Sequence, residues 1–249
     1  MRVNNSTMQN YERLSSMQKI NSASDNPANS AISEKMENQA EGLKQGTENT
    51  EDMQNAVKTA EGALDSVQNQ LQRMRELTLQ ASNGTLAQSD KEAIQSEIDG
   101  LKESINEQAG NTEFNNQNLL DGSFQNKQVA SNSDGSGSQV SVEEVSTSSL
   151  GVESLDVTQN ADVGQIDDAL DEVSSMRSEL GSNYNRMEYS ADINRMNRAN
   201  TISSNSRIRD ANAAEEISDL RRNQIMEQYK YFSQSEEMNQ EQNILNVIS

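Results

Sequence analysis

The chain has 249 residues, of which 32% are apolar and 3% aromatic, and it contains no cysteine, histidine or tryptophan. This composition is typical either of a disordered chain or of long helices that bury only a narrow stripe, often within an assembly. The formal net charge of −20 disfavours nucleic acid and anionic membranes as partners. The lack of cysteine excludes disulfides, zinc–thiolate sites and thiol nucleophiles.

Neither a membrane span nor a cleaved export signal is predicted from the sequence. It contains no run of about 18 apolar residues, so no segment is predicted to span a bilayer. The N-terminal stretch MRVNNSTMQNYERLSS lacks the apolar core of a cleaved secretory signal. We therefore expect either a cytosolic protein or one that is exported by a route without a cleaved signal.

A short amphipathic helix is predicted before Asn26. Apolar residues recur there at three-residue steps, as on one face of a helix. They are Met8, Tyr11, Leu14, Met17 and Ile20. Asn26 and Pro27 then predict the cap and the first residue of a second helix, because the N–H that proline lacks would have no partner at that position.

The second helix is predicted from a heptad repeat. One series of residues spaced seven apart is Met36, Leu43, Thr50, Val57, Leu64, Leu71 and Thr78. A second series, three places after each of these, is Gln39, Gly46, Met53, Ala60, Val67, Met74 and Ala81. A strict seven-residue repeat keeps one narrow face toward a partner helix, whereas disorder keeps no phase. We predict a helix over residues 28–82, roughly 80 Å long.

The turn at Asn83-Gly84 predicts the end of this helix, and Ser89 with Glu92 predicts a capping box that begins the third. The third helix has a clean apolar stripe and is predicted to stop near Gly110. The stripe consists of Ile94, Ile98, Leu101 and Ile105.

Residues 120–164 are rich in serine and glycine, and the alternation in QVSVEEV beside a Gly-Ser turn predicts a small hairpin. Helix is predicted to resume near Gln165, first in good seven-residue phase and then in poorer phase. The regular series is Ile166, Val173, Leu180 and Met187, and the poorer continuation is Ile193, Met196 and Ile202. A last helix is predicted from about Ala211, and its apolar residues are Ile217, Leu220, Ile225, Tyr229 and Phe232.

These elements predict a mainly α fold, an elongated antiparallel helical bundle or coiled-coil rod with a small β-hairpin insert. Neither terminal helix has enough apolar face to be stable alone, because most helical stability in proteins comes from packing. Each terminal helix is therefore expected to need partners.

Six blocks of the chain form an ordered pattern. Those of the first half are ERLSSMQKINSASDNPANSAIS (12–33), TAEGALDSVQNQLQRMRELTLQASNGT (59–85) and IQSEIDGLKESINEQAGNTEFNNQNLLDGSF (94–124). Those of the second half are STSSLGV (146–152), IDDALDEVSSMRSELGSNYNRMEYS (166–190) and SRIRDANAAEEIS (206–218). In this order and spacing they resemble bacterial flagellin.

The resemblance implies a structural subunit of the flagellar filament, which self-assembles outside the cell into a helical tube for motility. It implies as partners copies of the chain or other flagellins, the flagellar type III export apparatus and an export chaperone. Nucleic acid, a membrane span, catalytic residues, cofactors and metals are not expected. The alternatives are a non-polymerising flagellin-like protein, a hook–filament junction protein and, in another class, a cytosolic signalling coiled-coil hairpin. Asp25-Asn26-Pro27 keeps the junction protein open, since junction relatives often carry a proline there.

The chain departs from the family pattern at both ends. YERLSS follows MRVNN sooner than in the family, Met17-Gln18 stands where Gly-Leu is usual, and YFSQSEEMNQEQ (231–242) is more polar and acidic than usual. We expect a shortened N-terminal inner helix. The predicted division is 1–26 inner arm and junction, 27–119 N-terminal rod helices, 120–164 small β-rich insert, 165–205 C-terminal rod helix, and 206–249 junction and C-terminal inner helix.

The resemblance also implies a contact site on the second and third helices. The residues that match it are Gln72, Arg73, Glu76, Leu77 and Glu97. In flagellins this stretch faces a neighbouring subunit, and in several of them it is recognised by a vertebrate toll-like receptor. Leu71 and Met74 lie in the heptad phase and are predicted to fill the seam, whereas Arg73 and Leu77 lie beside it and are predicted to contact another protein.

The last helix carries a second candidate site. It consists of Ile225, Tyr229, Tyr231 and Phe232. These residues are predicted either to bury against other helices or to form an inner-arm packing surface or a docking site for an export chaperone.

Assembly of copies that each bear −20 is expected to strengthen with ionic strength or mild acid, because both weaken like-charge repulsion and the Debye length is only about 8 Å at physiological salt. Sedimentation of purified protein across a salt series measures this. Equal pelleting at about 10 mM and about 1 M salt, where screening differs most, would contradict it.

Overall fold

The computed structural model describes the backbone of residues 2–248 and the side chains of residues 7–240. The side chains of MRVNN and of residues 241–249, on which part of the prediction for the two ends rests, lie outside this range. The helices are α1 Arg2–Ser16, α2 Pro27–Ala81, α3 Gln88–Asn111, α4 Val163–Arg209 and α5 Ala213–Ile248. The strands are β1 Glu113–Phe114, β2 Gln117–Asn118, β3 Lys127–Ala130 and β4 Gly137–Val140. The predicted mainly α class with a small β insert is confirmed.

The chain divides into two compact units. The central unit comprises residues 42–197, with most of α2, all of α3, both hairpins and the first part of α4. The terminal unit comprises the residues up to 41 and from 198 onward, and it contains α1 and α5.

Helix α2 supplies the middle of the central unit's core. The heptad positions predicted from the sequence are buried from Leu43 onward, apart from the half-buried Met53. Those with at most 1% exposure are Thr50, Val57, Ala60, Leu64, Val67, Leu71, Met74, Thr78 and Ala81. The hydroxyls of Thr50 and Thr78 donate to the carbonyls of Gly46 and Met74 one turn earlier, so these polar seam residues are satisfied within the helix.

The buried stripe of α2 is wider than a two-helix seam because two helices pack against it. Gln70 Nε2 donates to Ser104 Oγ of α3 at 2.8 Å, and Arg75 Nε donates to Asp167 Oδ1 of α4 at 2.6 Å. Three residues that lie one place before a position of the first heptad series are therefore buried as well. They are Ala56, Ala63 and Leu77.

Arginine–carboxylate pairs join α2 and α4 along the central unit. They are Glu51–Arg195, Asp65–Arg177 and Arg75–Asp167. The residue numbers fall on α4 as they rise on α2, so the two helices are antiparallel. These pairs are largely exposed and contribute little to stability, but the planar guanidinium fixes which residues face each other.

The β insert consists of two antiparallel hairpins. The hairpin β3–β4 pairs Lys127 with Val140 and Ala130 with Gly137. Asn49 of α2 donates to Ala130 O at 3.0 Å, and Asn194 of α4 donates to Ser131 O at 2.6 Å, so both helices hold the hairpin end. The shorter β1–β2 hairpin has Asn115 and Asn116 at φ values of 50° and 59°, as a tight turn requires.

The glycine in the α2 heptad is explained by this hairpin. A Cβ at Gly46 would lie 2.1 Å from Ser131 O, so a larger residue would push the hairpin away from the helix. Gly46 therefore marks the place where the insert docks.

The cap of α3 differs from the prediction. The N-cap is Ala87 rather than Ser89, and Asp90 Oδ2 accepts from the Ala87 N–H at 3.2 Å. The predicted box of Ser89 with Glu92 is thus wrong by two residues, because Asp90 also satisfies a free N–H at a helix start.

In the terminal unit, α1 packs antiparallel against α5, and polar contacts join the two helices. Gln224 Nε2 donates to Tyr11 Oη at 3.2 Å, and Arg13 lies 3.6 Å from Glu216. The long α5 thus receives polar partners from a helix of only 15 residues.

The connection from α1 to α2 is ordered by side-chain caps. Asn26 Oδ1 accepts from the Asn29 N–H at 3.1 Å and α2 begins at Pro27, which confirms the predicted cap. Asp25 Oδ2 accepts from the N–H groups of Asn21 and Ser22 at 3.0 Å each, and these bonds lower the pKa of Asp25.

No helix in the described part of the chain is long and apolar enough to cross a membrane.

Met17 ends α1 in a left-handed conformation with φ 55°, and its carbonyl accepts from the Ala211 N–H at 3.0 Å. A side chain is disfavoured at such a φ, so Met17→Gly should stabilise α1 by about 1 kcal/mol. Slower hydrogen exchange at the α1 amides measures it. The matched variant Met8→Gly lies inside α1 and should destabilise it by about 1 kcal/mol; equal effects of the two variants would contradict the assignment.

Candidate contact surfaces

A charged cluster lies on the outer side of α2 and α3. Arg73 donates to Glu97 Oε1 from Nε at 2.9 Å and from Nη2 at 2.8 Å, and its Nη1 donates to Glu76 Oε2 at 3.1 Å. The bond to Glu97, and then that to Glu76, raises the pKa of the Arg73 guanidinium. The three side chains remain about half exposed or more, so the cluster can pair with another molecule.

The predicted members of this site do not all reach the surface. Gln72 is exposed and lies beside the cluster. Leu77 is only 2% exposed and packs in the same core as Leu71 and Met74. Its prediction as a surface contact is therefore wrong, because α2 faces two helices and the buried stripe includes its position. Leu71 and Met74 fill the seam, as predicted.

The second predicted site lies on the outside of α5. Ile225, Tyr229, Tyr231 and Phe232 are each 62–68% exposed. Burial of these side chains within the chain, one of the two predictions, is wrong. Ile225, Tyr229 and Phe232 follow each other at steps of four and three residues, so they lie on one side of the helix. We call these three residues the α5 face.

A third surface was missed by the sequence analysis. Tyr189, Ile193 and Met196 of α4 are 55–71% exposed. We call them the α4 stripe; Tyr189 and Ile193 line a groove of about 560 Å³ beside the turn between β3 and β4. The sequence does contain a signal for this surface: Ile193 and Met196 lie outside the seven-residue phase of the regular α4 series. That series continues instead at Asn194, which is buried because it holds the hairpin.

Buried and exposed apolar side chains are distributed unequally between the two units. Among the described side chains of the terminal unit, the buried apolar residues are Ile20 and Ala40, and all the others of the chain belong to the central unit. Most of the exposed large apolar side chains belong to the terminal unit. The central unit therefore buries a core of its own, whereas the terminal unit presents apolar surface outward.

No group of three or more His, Cys, Asp or Glu residues that could hold a metal ion is found among the described residues. The arrangement offers apolar faces and exposed charged groups, which are features of packing surfaces.

Comparison with known proteins agrees with this arrangement. The family model described as the bacterial flagellin N-terminal helical region matches residues 1–125, and that described as the bacterial flagellin C-terminal helical region matches residues 163–248. A flagellin of Bacillus subtilis (strain 168) is 33% identical over 284 residues, which cover 98% of this chain and 93% of that protein. A flagellin of Halalkalibacterium halodurans is 37% identical over 247 residues, which cover 95% of this chain and 90% of that protein.

Among solved structures, a protein of Vibrio parahaemolyticus described as a flagellar hook-associated protein has a TM-score of 0.59 at 18% identity. The match covers 74% of this chain and 99% of that chain, and at this identity it shows the fold alone.

The fold and its outward apolar faces are those of a helical protein that packs against other molecules. The chain belongs to the bacterial flagellin family, the structural subunits of the flagellar filament.

The assignment of Leu77 to the core predicts a large difference between two leucines of α2. Leu77→Ala should destabilise the central unit by about 2–4 kcal/mol through the lost contacts and the cavity left behind. Leu79→Ala, at a position that is 49% exposed, should change stability by less than about 0.5 kcal/mol. Urea unfolding measures both, and similar midpoints would contradict the assignment.

Proposed function

We propose that the chain is exported from the cell and polymerises with copies of itself or with other flagellins, and that its terminal unit supplies a main packing surface of the resulting filament. The supporting observation is the outward-facing apolar surface of that unit, whose own buried apolar residues are few. The role is structural and needs no catalytic group. The predicted division into arms, rod helices and insert is proposed as the domain organisation of the assembled subunit.

The free energies of burial and of association favour a subunit that contacts several neighbours over a simple dimer. Burying one fully exposed large apolar side chain contributes roughly 1.5–3 kcal/mol, so the three residues of the α5 face, each about two-thirds exposed, contribute roughly 3–6 kcal/mol. Association costs about 4–15 kcal/mol in lost freedom of motion. The free energy gained by burying one α5 face is of the same size as this cost. A subunit with several neighbours gains the free energy of further contacts, while most of its freedom of motion is lost only once.

The charged cluster is proposed as a second contact between subunits. Arg73 presents a guanidinium held in place by Glu97, with Gln72 and Glu76 exposed beside it. A positioned guanidinium can bind a carboxylate or a carbonyl of a neighbour with two hydrogen bonds. Because the matching surface of several flagellins is recognised by a vertebrate toll-like receptor, the cluster is also proposed as a recognition site for such a receptor.

The α5 face is also proposed as the site that an export chaperone covers before assembly. Exposed aromatic and aliphatic side chains on one side of a helix fit an apolar groove on a partner. Covering them inside the cell would prevent premature association, and release at the flagellar type III export apparatus would free them for the filament.

Replacing two residues of the α5 face tests the proposal. Tyr229→Ser with Phe232→Ser should raise the protein concentration needed for pelleting at least about tenfold, because two apolar contacts are lost. The control is Gln228→Ser with Gln234→Ser, two exposed polar positions of the same helix that receive the same new residue. Circular dichroism should show equal helix content in both variants. Pelleting of the Tyr229/Phe232 variant at the original concentration would contradict the proposal.

A further inference from the structure

Methionine is the sulfur-containing side chain on which oxidants such as hydrogen peroxide can act in this protein. The chain has eleven methionines and no cysteine, and it also lacks tryptophan. A thioether is oxidised to a sulfoxide, and the change turns a flexible apolar side chain into a polar one. The effect of peroxide on the protein therefore depends on where the methionines lie.

Among the described side chains, three methionines are buried, five are exposed, and Met36 and Met53 are half-buried. Met74, Met176 and Met187 are buried, at 0%, 7% and 1% exposure. The exposed group, at 53–65%, consists of Met8, Met17, Met196, Met226 and Met238. Met187 and Met196 lie nine residues apart on the same helix and show the contrast directly, since one faces the seam and the other faces outward.

Three of the exposed methionines lie next to the apolar surface residues already described. Met196 is the last residue of the α4 stripe, three places after Ile193. Met226 precedes Tyr229 of the α5 face by three places. Met8 precedes the exposed Tyr11 of α1 by the same step. Residues three apart on a helix are surface neighbours, so a sulfoxide at any of these positions would place a polar group within an apolar patch.

We propose that Met8, Met17, Met196, Met226 and Met238 are sites of oxidation by hydrogen peroxide, and that oxidation makes the contact surfaces polar while the core stays intact. Each thioether sulfur takes one oxygen from peroxide and forms a sulfoxide, and the peroxide leaves as water. The sulfur loses two electrons and the peroxide gains them. Met74 and Met187 are protected because peroxide cannot reach them without opening of the bundle.

Oxidation of the surface methionines should also weaken assembly, a consequence that rests on the proposed function. If the apolar surfaces of the terminal unit and the α4 stripe pack against other copies, an oxidised subunit associates less well than an unmodified one. The modification itself does not depend on assembly, because it concerns the free subunit.

The first experiment maps the modification on the full chain in dilute solution. After peroxide treatment and digestion, mass spectrometry should show Met196 and the other four exposed methionines oxidised at least roughly tenfold faster than Met74 and Met187. The melting temperature should stay unchanged, and retention on a hydrophobic-interaction column should fall. Oxidation of Met187 as fast as Met196, or unchanged retention after the five sites are oxidised, would overturn the proposal.

The second experiment separates the sulfoxide from other effects of peroxide. A variant with Met8→Leu, Met196→Leu and Met226→Leu keeps an apolar side chain of similar volume that cannot form a sulfoxide. After peroxide, this variant should keep more of its column retention than the unsubstituted chain, and it should pellet at a lower concentration. Equal losses in the two proteins would overturn the proposal. Failure of the untreated chain to pellet would count against the proposed function alone, since the mapping and the column still decide the oxidation sites.

Discussion

The packing of α2 against α3 and α4 together is the interaction on which the central unit depends. Only 32% of the residues are apolar, and most of the buried ones form one cluster that the stripe of α2 shares with α3, α4 and the segment 119–157. Leucine, methionine and valine fill the middle of the stripe, and buried alanines lie among them. The satisfied hydroxyls of Thr50 and Thr78 extend the seam at points where no apolar residue is available.

The small number of apolar residues also explains the contacts of the terminal unit. Little apolar material remains for its interior, where Ile20 and Ala40 are buried, and the α1–α5 contact uses Tyr11, Arg13 and their polar partners instead. Polar and partly exposed contacts stabilise a helix pair only weakly. Exposed apolar residues on such a pair become useful when another molecule covers them, and this is the property that a subunit of a polymer needs.

Some of the acidic residues are placed where arginines of the same chain can pair with them. Arginines of α4 pair with acidic residues of α2 along the central unit, so some of the repulsion within the fold is replaced by contacts that fix the register of the two helices. Three residues hold the hairpin. Asn49 and Asn194 each donate a hydrogen bond to it, and Gly46 allows its close approach to α2. The central unit therefore owes its alignment to polar contacts and its stability to the stripe.

The sequence by itself determined α2, because the heptad phase, Asn26-Pro27 and Asn83-Gly84 act locally and fix where this helix begins and ends. For α1 it predicted the helix but not its end, since the predicted stripe continued to Ile20 and the helix stops at Ser16. It also determined that Leu71 and Met74 are buried, since their phase is strict over many turns. Only the tertiary structure decided the fate of Leu77, whose burial depends on a second partner helix that the local pattern does not reveal. The same holds for the α4 stripe, which is outward because the hairpin binds Asn194, and for the exposure of Tyr229 and Phe232. Local periodicity gives the direction of a side chain around its own helix, whereas the number and position of the neighbouring helices decide which directions are covered.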